Sequence, residues 1–249
     1  MTTLTIPARF NGPVRSGNGG FTAGAFAELV PGSAGALVEV TLRRPPPLDT
    51  EMQVTSYDGR SVLADGDDVV AEAGVVDLDL EPVDGVPPDV AVDAMLRYPG
   101  LANHPFPTCF ACGPDRAEDD GLRIFPGPVS DDPADRGHVA SLWVPTAEQA
   151  ETSALDDARQ RCGIATTWAA LDCVGGWSED LEGRPCVLGR MTARVDALPV
   201  VGEPHVVVGR HLRTDGRKSF TSSTLYDADR RVVASATHVW IQVDPSVFN

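Results

Sequence analysis

The strongest constraint in this chain of 249 residues is an internal repeat whose two copies keep different parts of one arrangement. Ser16-Gly17-Asn18-Gly19-Gly20 opens a small, apolar run, Phe21-Thr22-Ala23-Gly24-Ala25-Phe26-Ala27. In the second half Gly163-Ile164-Ala165 opens a similar run that ends in Leu171-Asp172-Cys173-Val174-Gly175-Gly176-Trp177. The first copy has the richer glycine opening but Ala27 where an acid would be expected. The second has the acid, Asp172, behind a poorer opening, Arg161-Cys162-Gly163. Glu28 follows Ala27, but one residue along a helix turns a side chain by about 100°, so Glu28 is expected to face elsewhere. One site assembled from two diverged copies follows, and one working site per chain rather than two.

The repeat continues downstream. Pro47, Glu51 and Val54 recur as Pro199, Glu203 and Val206, an offset of 152. Val69-Val70-Ala71-Glu72-Ala73 recurs as Val232-Val233-Ala234-Ser235-Ala236, where the offset has grown to 163. Longer second-half loops around Arg210 to Lys218 can house the drift. Two copies are too few for a solenoid, which needs at least three repeats. Duplication of one module is the reading, with residues 1–104 as a first module, its linker starting near 78, and residues 105–249 as a second.

Composition narrows the function classes. With 42% hydrophobic and 22% charged residues the chain can build a real core. No apolar run approaches the ~18 residues of a membrane span, and the start lacks a basic region followed by an apolar one, so a cytoplasmic protein is the default expectation. The net charge of −16 argues against nucleic acid, whose phosphates are bound by Lys and Arg. The exception to the acidic background is Arg210-His211-Leu212-Arg213-Thr214-Asp215-Gly216-Arg217-Lys218, which holds the chain's one lysine. Such a cluster reads either as an anion site or as a solvated hairpin.

Five cysteines, an odd count without a secretion signal, argue against a disulfide framework. Cys109-Phe110-Ala111-Cys112 has metal-knuckle spacing, but four-coordinate zinc needs four ligands and no second such pair exists; His104 lies five residues earlier. Buried thiols on a tight turn, with no metal, are the expectation.

Pattern reading places helices at 17–30 and roughly 156–174. In the second, Ile164, Trp168, Leu171 and Gly175 share one face of a 3.6-residue period. Strands are expected at 36–43, 50–57, 60–65 and 68–77, then near 122–125, 138–145, 187–197, 204–213, 217–227 and 231–243. Turns fall at Asp58-Gly59, Asp65-Gly66 and Thr214-Asp215-Gly216. Residues 78–104, proline-punctuated, read as a linker without a periodic element. A helix followed by a meander, twice over, predicts an α+β fold with helices against antiparallel sheet.

In Cys109-Phe110-Ala111-Cys112-Gly113-Pro114-Asp115 followed by Gly121-Leu122-Arg123-Ile124, and in Leu171-Asp172, the chain resembles the hotdog-fold acyl-CoA thioesterase superfamily, in its branch related to phenylacetate-pathway thioesterases. Asp215-Gly216-Arg217-Lys218 and Leu225-Tyr226-Asp227 through Val232-Val233-Ala234 resemble that branch's last hairpins, and Asn18-Gly19-Gly20 its His-Gly-Gly loop with Asn for His. The resemblance implies two tandem hotdog modules, each a sheet wrapping a central helix, paired as an intrachain pseudo-dimer, with sheets joined edge to edge or stacked. It implies that Asp172 is general base or nucleophile, while the Gly19 N–H and the Asn18 side chain orient the thioester carbonyl. Gly216, Arg217 and Lys218 would meet the anionic part of coenzyme A, which enters as part of the substrate and not as a prosthetic group. Further homo-oligomers are common on this fold.

Two alternatives stand beside hydrolysis. A non-catalytic binder of acyl-CoA or another hydrophobic ligand would leave Asp172 structural. A hotdog hydratase or dehydratase would carry a Gly-Asp-x-Asn-Pro-like loop, which is not in this sequence. Asn18 itself reads equally as a turn residue, since Asn and Gly both tolerate left-handed backbone.

Overall fold

The computed structural model describes residues 2–151, 159–244 and 246. In chain order it forms β1 (Thr2–Thr5), α1 (Gly19–Ala27), β2 (Val38–Leu42), β3 (Glu51–Tyr57), β4 (Arg60–Asp65), β5 (Asp68–Val75) and α2 (Pro88–Met95). Then come β6 (Gly127–Pro128), β7 (His138–Trp143), β8 (Ala150–Glu151), β9 (Arg161–Cys162), α3 (Ile164–Trp177), β10 (Cys186–Val195), β11 (His205–Asp215), β12 (Lys218–Tyr226) and β13 (Val232–Gln242). No strand forms at 122–125: Arg123 takes a left-handed backbone (φ 53°), and Leu122 and Ile124 donate backbone N–H groups to the loop carbonyls of Phe110 and Ala111. The helix expected over 156–174 starts at Ile164 and runs to Trp177; residues 156–158 of that span lie outside the described residues. The helix expected over 17–30 is shorter, Gly19–Ala27.

Local chemistry explains the meanders. Met52 and Val54 point inward from β3 while Gln53 and Thr55 face out, the period of two that one buried face imposes. Asp58 (φ 47°) and Gly59 (φ 75°) close the β3–β4 hairpin, and positive φ at both central residues is what a two-residue type I′ turn requires. Eleven strands form one sheet in the order β1-β3-β4-β5-β2-β10-β13-β12-β11-β7-β6. Its two sides mirror each other: β3-β4-β5-β2 runs up to the centre, and β10-β13-β12-β11 runs away from it. The recurrent segments of the sequence accordingly lead into β3 and β11, and fall in β5 and β13. Antiparallel β2 and β10 join the sides edge to edge, with Val40 opposite Met191 and Val38 opposite Ala193.

The sheet wraps two helices that pack on each other. Every residue of α3 from Thr166 to Trp177 is buried, so burial extends beyond the face that Trp168, Leu171 and Gly175 share. Sheet covers one side of α3, while α1 and the Cys109 loop cover others, and a helix enclosed all round is uniformly apolar or small. Two glycines set the helix separation. A Cβ on Gly24 would lie 2.7 Å from Trp168 Cβ and 2.8 Å from Ala165 Cα. On Gly20 it would lie 2.4 Å from Asp172 Cβ.

Residues 78–104 are more than a linker. They carry α2, whose Ala91 and Ala94 join Val83, Ala140, Val206 and Val208 in a second apolar cluster on the outer face of the sheet. Backbone and side-chain hydrogen bonds fix the strap there: the Val83 N–H donates to Thr224 Oγ1 at 2.9 Å and Tyr226 Oη donates to the Val83 carbonyl at 2.6 Å. The eight residues of α2 were hidden in the sequence because Pro82, Pro87, Pro88 and Pro99 break the pattern; Pro88 in fact opens the helix, where its missing N–H costs nothing.

Candidate functional site

Asp172 sits in the middle of α3 and faces the N-terminus of α1. Its side chain is fully buried, and Oδ2 accepts the Gly20 N–H at 2.8 Å. Among the described residues, Oδ1 has no hydrogen-bond partner. Removal from water is the main influence on this carboxyl and raises its pKa to about 7; the bond from Gly20 and, less strongly, the nearby Asn18 side chain work in the opposite direction. Ionised and neutral forms therefore coexist near neutral pH.

Asn18 is the N-cap of α1. Its Oδ1 accepts the Phe21 N–H at 2.8 Å, satisfying one of the helix's open donors. Its amide nitrogen turns the other way, 3.6 Å from Cys109 Sγ and 3.9 Å from Cys173 Sγ. The left-handed turn expected of Asn18 is not formed: its φ is −57°, and it caps a helix instead. Gly19 occupies the first position of the helix, where a backbone N–H has no intrahelical acceptor. Leu188 of β10 approaches so closely that a Cβ on Gly19 would lie 2.7 Å from Leu188 Cβ.

These groups line a cleft of about 270 Å³. Asn18, Gly19, Asp172, Cys109 and Cys173 form its polar end, Leu42, Phe106, Leu188, Trp240 and Ile241 its apolar walls, and Arg43 and Arg44 also line it. The structure thus brings Asn18, Gly19 and Asp172 together. Gly216, Arg217 and Lys218 do not line this cleft. They form the exposed β11–β12 turn, anchored where Arg217 donates to the Gln242 carbonyl at 2.9 Å. The turn adjoins the cleft through β13, because Lys218 is paired with Ile241.

Sequence reasoning missed two single residues and one arginine pair. Gly20, not Gly19, donates to the carboxylate; its signal was the Gly20/Gly24 spacing of four, which places both on the helix face that meets α3. Arg43 and Arg44 directly follow a strand and precede Pro45-Pro46-Pro47, a basic pair passed over in favour of the larger cluster. Arg43 Nε bonds Glu72 at 2.8 Å and Arg44 pairs with Asp68, and such half-exposed pairs are weak enough to be exchanged for a ligand. Cys173 is the other single residue: it comes beside Cys109 and Cys112, with the three sulfurs within 4.8 Å of one another, a proximity no spacing in the sequence encodes. Hydrogen bonds from Cys112 and then Cys173 hold the Cys109 thiol well below its ordinary pKa.

Glu28 is the C-cap of α1, at the opposite end of the helix from Asn18. It lies in a different depression, with Ala27, Ile164 and Trp168. Burial, and then repulsion from Glu151, raise its carboxyl to about 7. A Cβ on Gly163 would run into the Glu151 carboxylate.

No family model matches the sequence, and no curated protein matches it. Solved structures do. A candidate thioesterase from Novosphingobium aromaticivorans superposes with a TM-score of 0.60 at 12% identity, covering 97% of this chain and 95% of that one. A candidate thioesterase II from Thermobifida fusca gives 0.56 at 16% identity, covering 97% and 92%. The tesB protein of Mycobacterium avium subspecies paratuberculosis gives 0.53 at 12% identity, covering 96% and 91%. At such identities the likeness is one of fold. The chain has a hotdog fold, with one large antiparallel sheet and few helices.

Proposed function

We propose that this protein hydrolyses an acyl-CoA thioester in the cleft between α1 and α3, with Asp172 as the reacting carboxylate. The observation that carries the reading is a buried carboxyl with one oxygen held by Gly20 and the other unpartnered, lining a cleft beside a helix N-terminus. As general base Asp172 takes a proton from water attacking the thioester carbon, and the C–S bond then breaks to release coenzyme A, protonated at sulfur; as nucleophile Asp172 attacks that carbon itself, expelling the coenzyme A thiolate and forming an acyl anhydride that water then cleaves. The Gly19 N–H, at the positive end of α1, is placed to stabilise the oxyanion that develops. Asn18 acts by capping that helix and so fixing the Gly19 and Gly20 N–H groups.

The same proposal covers the architecture: residues 1–104 and 105–249 are two hotdog modules fused as an intrachain pseudo-dimer, supported by the mirrored strand order about β2 and β10. The two helices then contribute one half-site each, glycine loop from the first module and acid from the second. The Glu28 depression is the counterpart that lost its chemistry. Arg43 and Arg44, with Arg217 and Lys218 on the adjoining turn, are the cations offered to the anionic part of coenzyme A.

A panel of acyl-CoAs with a thiol-trapping dye tests the reading. Hydrolysis of at least one member is expected, and Asp172→Asn should lower it by about 100- to 10,000-fold, the range of general acid–base catalysis, with the fold retained. A wild-type chain that binds acyl-CoA and cleaves none of the panel is a binding protein instead.

A further inference from the structure

The sulfur cluster, whose Cys109 and Cys173 line the cleft, has no role in the hydrolysis proposed above. Cys109 and Cys112 lie on one tight turn, closed where the Gly113 N–H donates to the Cys109 carbonyl at 2.8 Å. Only glycine fits next to them, since a Cβ on Gly113 would lie 2.5 Å from Cys109 N. Cys173 reaches the same point from α3. All three are buried with their sulfurs within 4.8 Å of one another, and Cys109 Sγ lies 3.6 Å from Cys173 Sγ. A tetrahedral zinc with Zn–S bonds of about 2.3 Å sets its sulfurs about 3.8 Å apart. A disulfide requires a separation of about 2.05 Å and uses two sulfurs, which leaves the convergence of three unexplained.

Polar hydrogens are aimed at the sulfurs, as thiolates need. The Asn18 amide approaches both Cys109 and Cys173, at 3.6 and 3.9 Å. His104 Nε2 lies 3.4 Å from Cys112 Sγ. His104 Nδ1 accepts the Phe106 N–H at 2.9 Å, so the neutral ring carries its proton on Nε2 and is a donor to Cys112, not a lone-pair ligand. Donors of this kind orient and stabilise metal-bound thiolates from outside the coordination sphere.

We infer that Cys109, Cys112 and Cys173 bind one Zn²⁺ as three thiolates. Binding releases the thiol protons to solvent, with no change of oxidation state. The fourth ligand comes from the cleft, which Cys109 and Cys173 line; water or a thiolate group of a ligand has the right chemistry. The ion ties the Cys109 turn to α3 beside the N-cap of α1.

The test uses the full chain purified reduced and anaerobically. Elemental analysis should find one equivalent of zinc. Exchange for Co²⁺ should give intense thiolate-to-metal charge transfer in the near ultraviolet and tetrahedral d–d bands in the visible. Cys173→Ser or Cys112→Ser should weaken metal binding at least ~100-fold, beyond what loss of an outer donor costs, while Cys162→Ser leaves it unchanged. Substoichiometric zinc together with a featureless spectrum after Co²⁺ addition to the reduced wild-type chain overturns the site. So does an unaltered cobalt spectrum in folded Cys173→Ser. The wild-type spectrum stands without any variant, and metal content is read independently of thioester hydrolysis.

Discussion

Asp172 holds a carboxyl where ionisation is costly, and that cost has a measurable sign. Its folded-state pKa of about 7 lies above the ordinary 3.8. The folded state therefore binds the proton more tightly, and this contribution to stability is complete below pH 3.8 and lost as pH rises through 7. Asp172→Asn removes the penalty and keeps an oxygen to accept from Gly20. The variant is expected to be more stable than wild type at pH 8, on the order of 3 kcal/mol, with little difference at pH 4. Denaturant melts at the two pH values decide it, and equal stability at pH 8 would mean that the carboxylate is better solvated than its burial indicates. The rate should rise with pH through an apparent pKa near 7, since base and nucleophile both need the ionised form. Asn18→Ala should cost about 1 kcal/mol of stability through loss of the cap, with a rate loss smaller than that of Asp172→Asn. Glu28→Gln should leave hydrolysis close to wild type; the reverse pattern would place the working half-sites at the other end of the helices.

Helix against helix is where glycine decides the outcome. In an isolated helix Gly24→Ala gains up to ~1 kcal/mol of propensity. Here the added methyl meets the Ala165 backbone at 2.8 Å and Trp168 Cβ at 2.7 Å. Trp168 is buried and 2% exposed, so neither neighbour can move freely. Overpacking of this kind costs ~1–3 kcal/mol and should win. Equilibrium unfolding of Gly24→Ala is expected to show net destabilisation, together with a weakened site, since α1 and α3 carry its two halves. A stabilised variant would show that the helices can part without cost.

Across the whole molecule the two halves interlock beyond their shared sheet. Phe10 and Phe21 stack at 3.8 Å, and Phe110 from the second half meets both edge-on. Buried Arg116 reaches back to Asn11, which also bonds Thr108. One cooperative unfolding transition, with coincident fluorescence and circular dichroism curves, is therefore expected rather than two. The proposed anion recognition also belongs to this scale, because it draws on cations from distant parts of the chain. Arg43→Ala/Arg44→Ala and Arg217→Ala/Lys218→Ala should each weaken acyl-CoA binding and flatten its salt dependence, exposed charges being screened beyond about 8 Å at physiological ionic strength. If only the first pair has an effect, the β11–β12 turn is a solvated hairpin.

The sequence by itself determined the α+β plan with antiparallel sheet, most strand positions and the Asp58-Gly59 turn, because period-two burial and positive φ are local demands that a few adjacent residues satisfy. It also singled out Asn18, Gly19 and Asp172 as unusual. Only the tertiary structure decided that Gly20 is the residue bonded to Asp172, that Arg43 and Arg44 line the cleft, and that Cys173 meets Cys109 and Cys112. It alone turned a proline-broken linker into a strap with a helix. Each of these depends on how closely α1 approaches α3 and how the sheet curves around them, which is set by packing between segments far apart in the chain and leaves no periodic mark in either one.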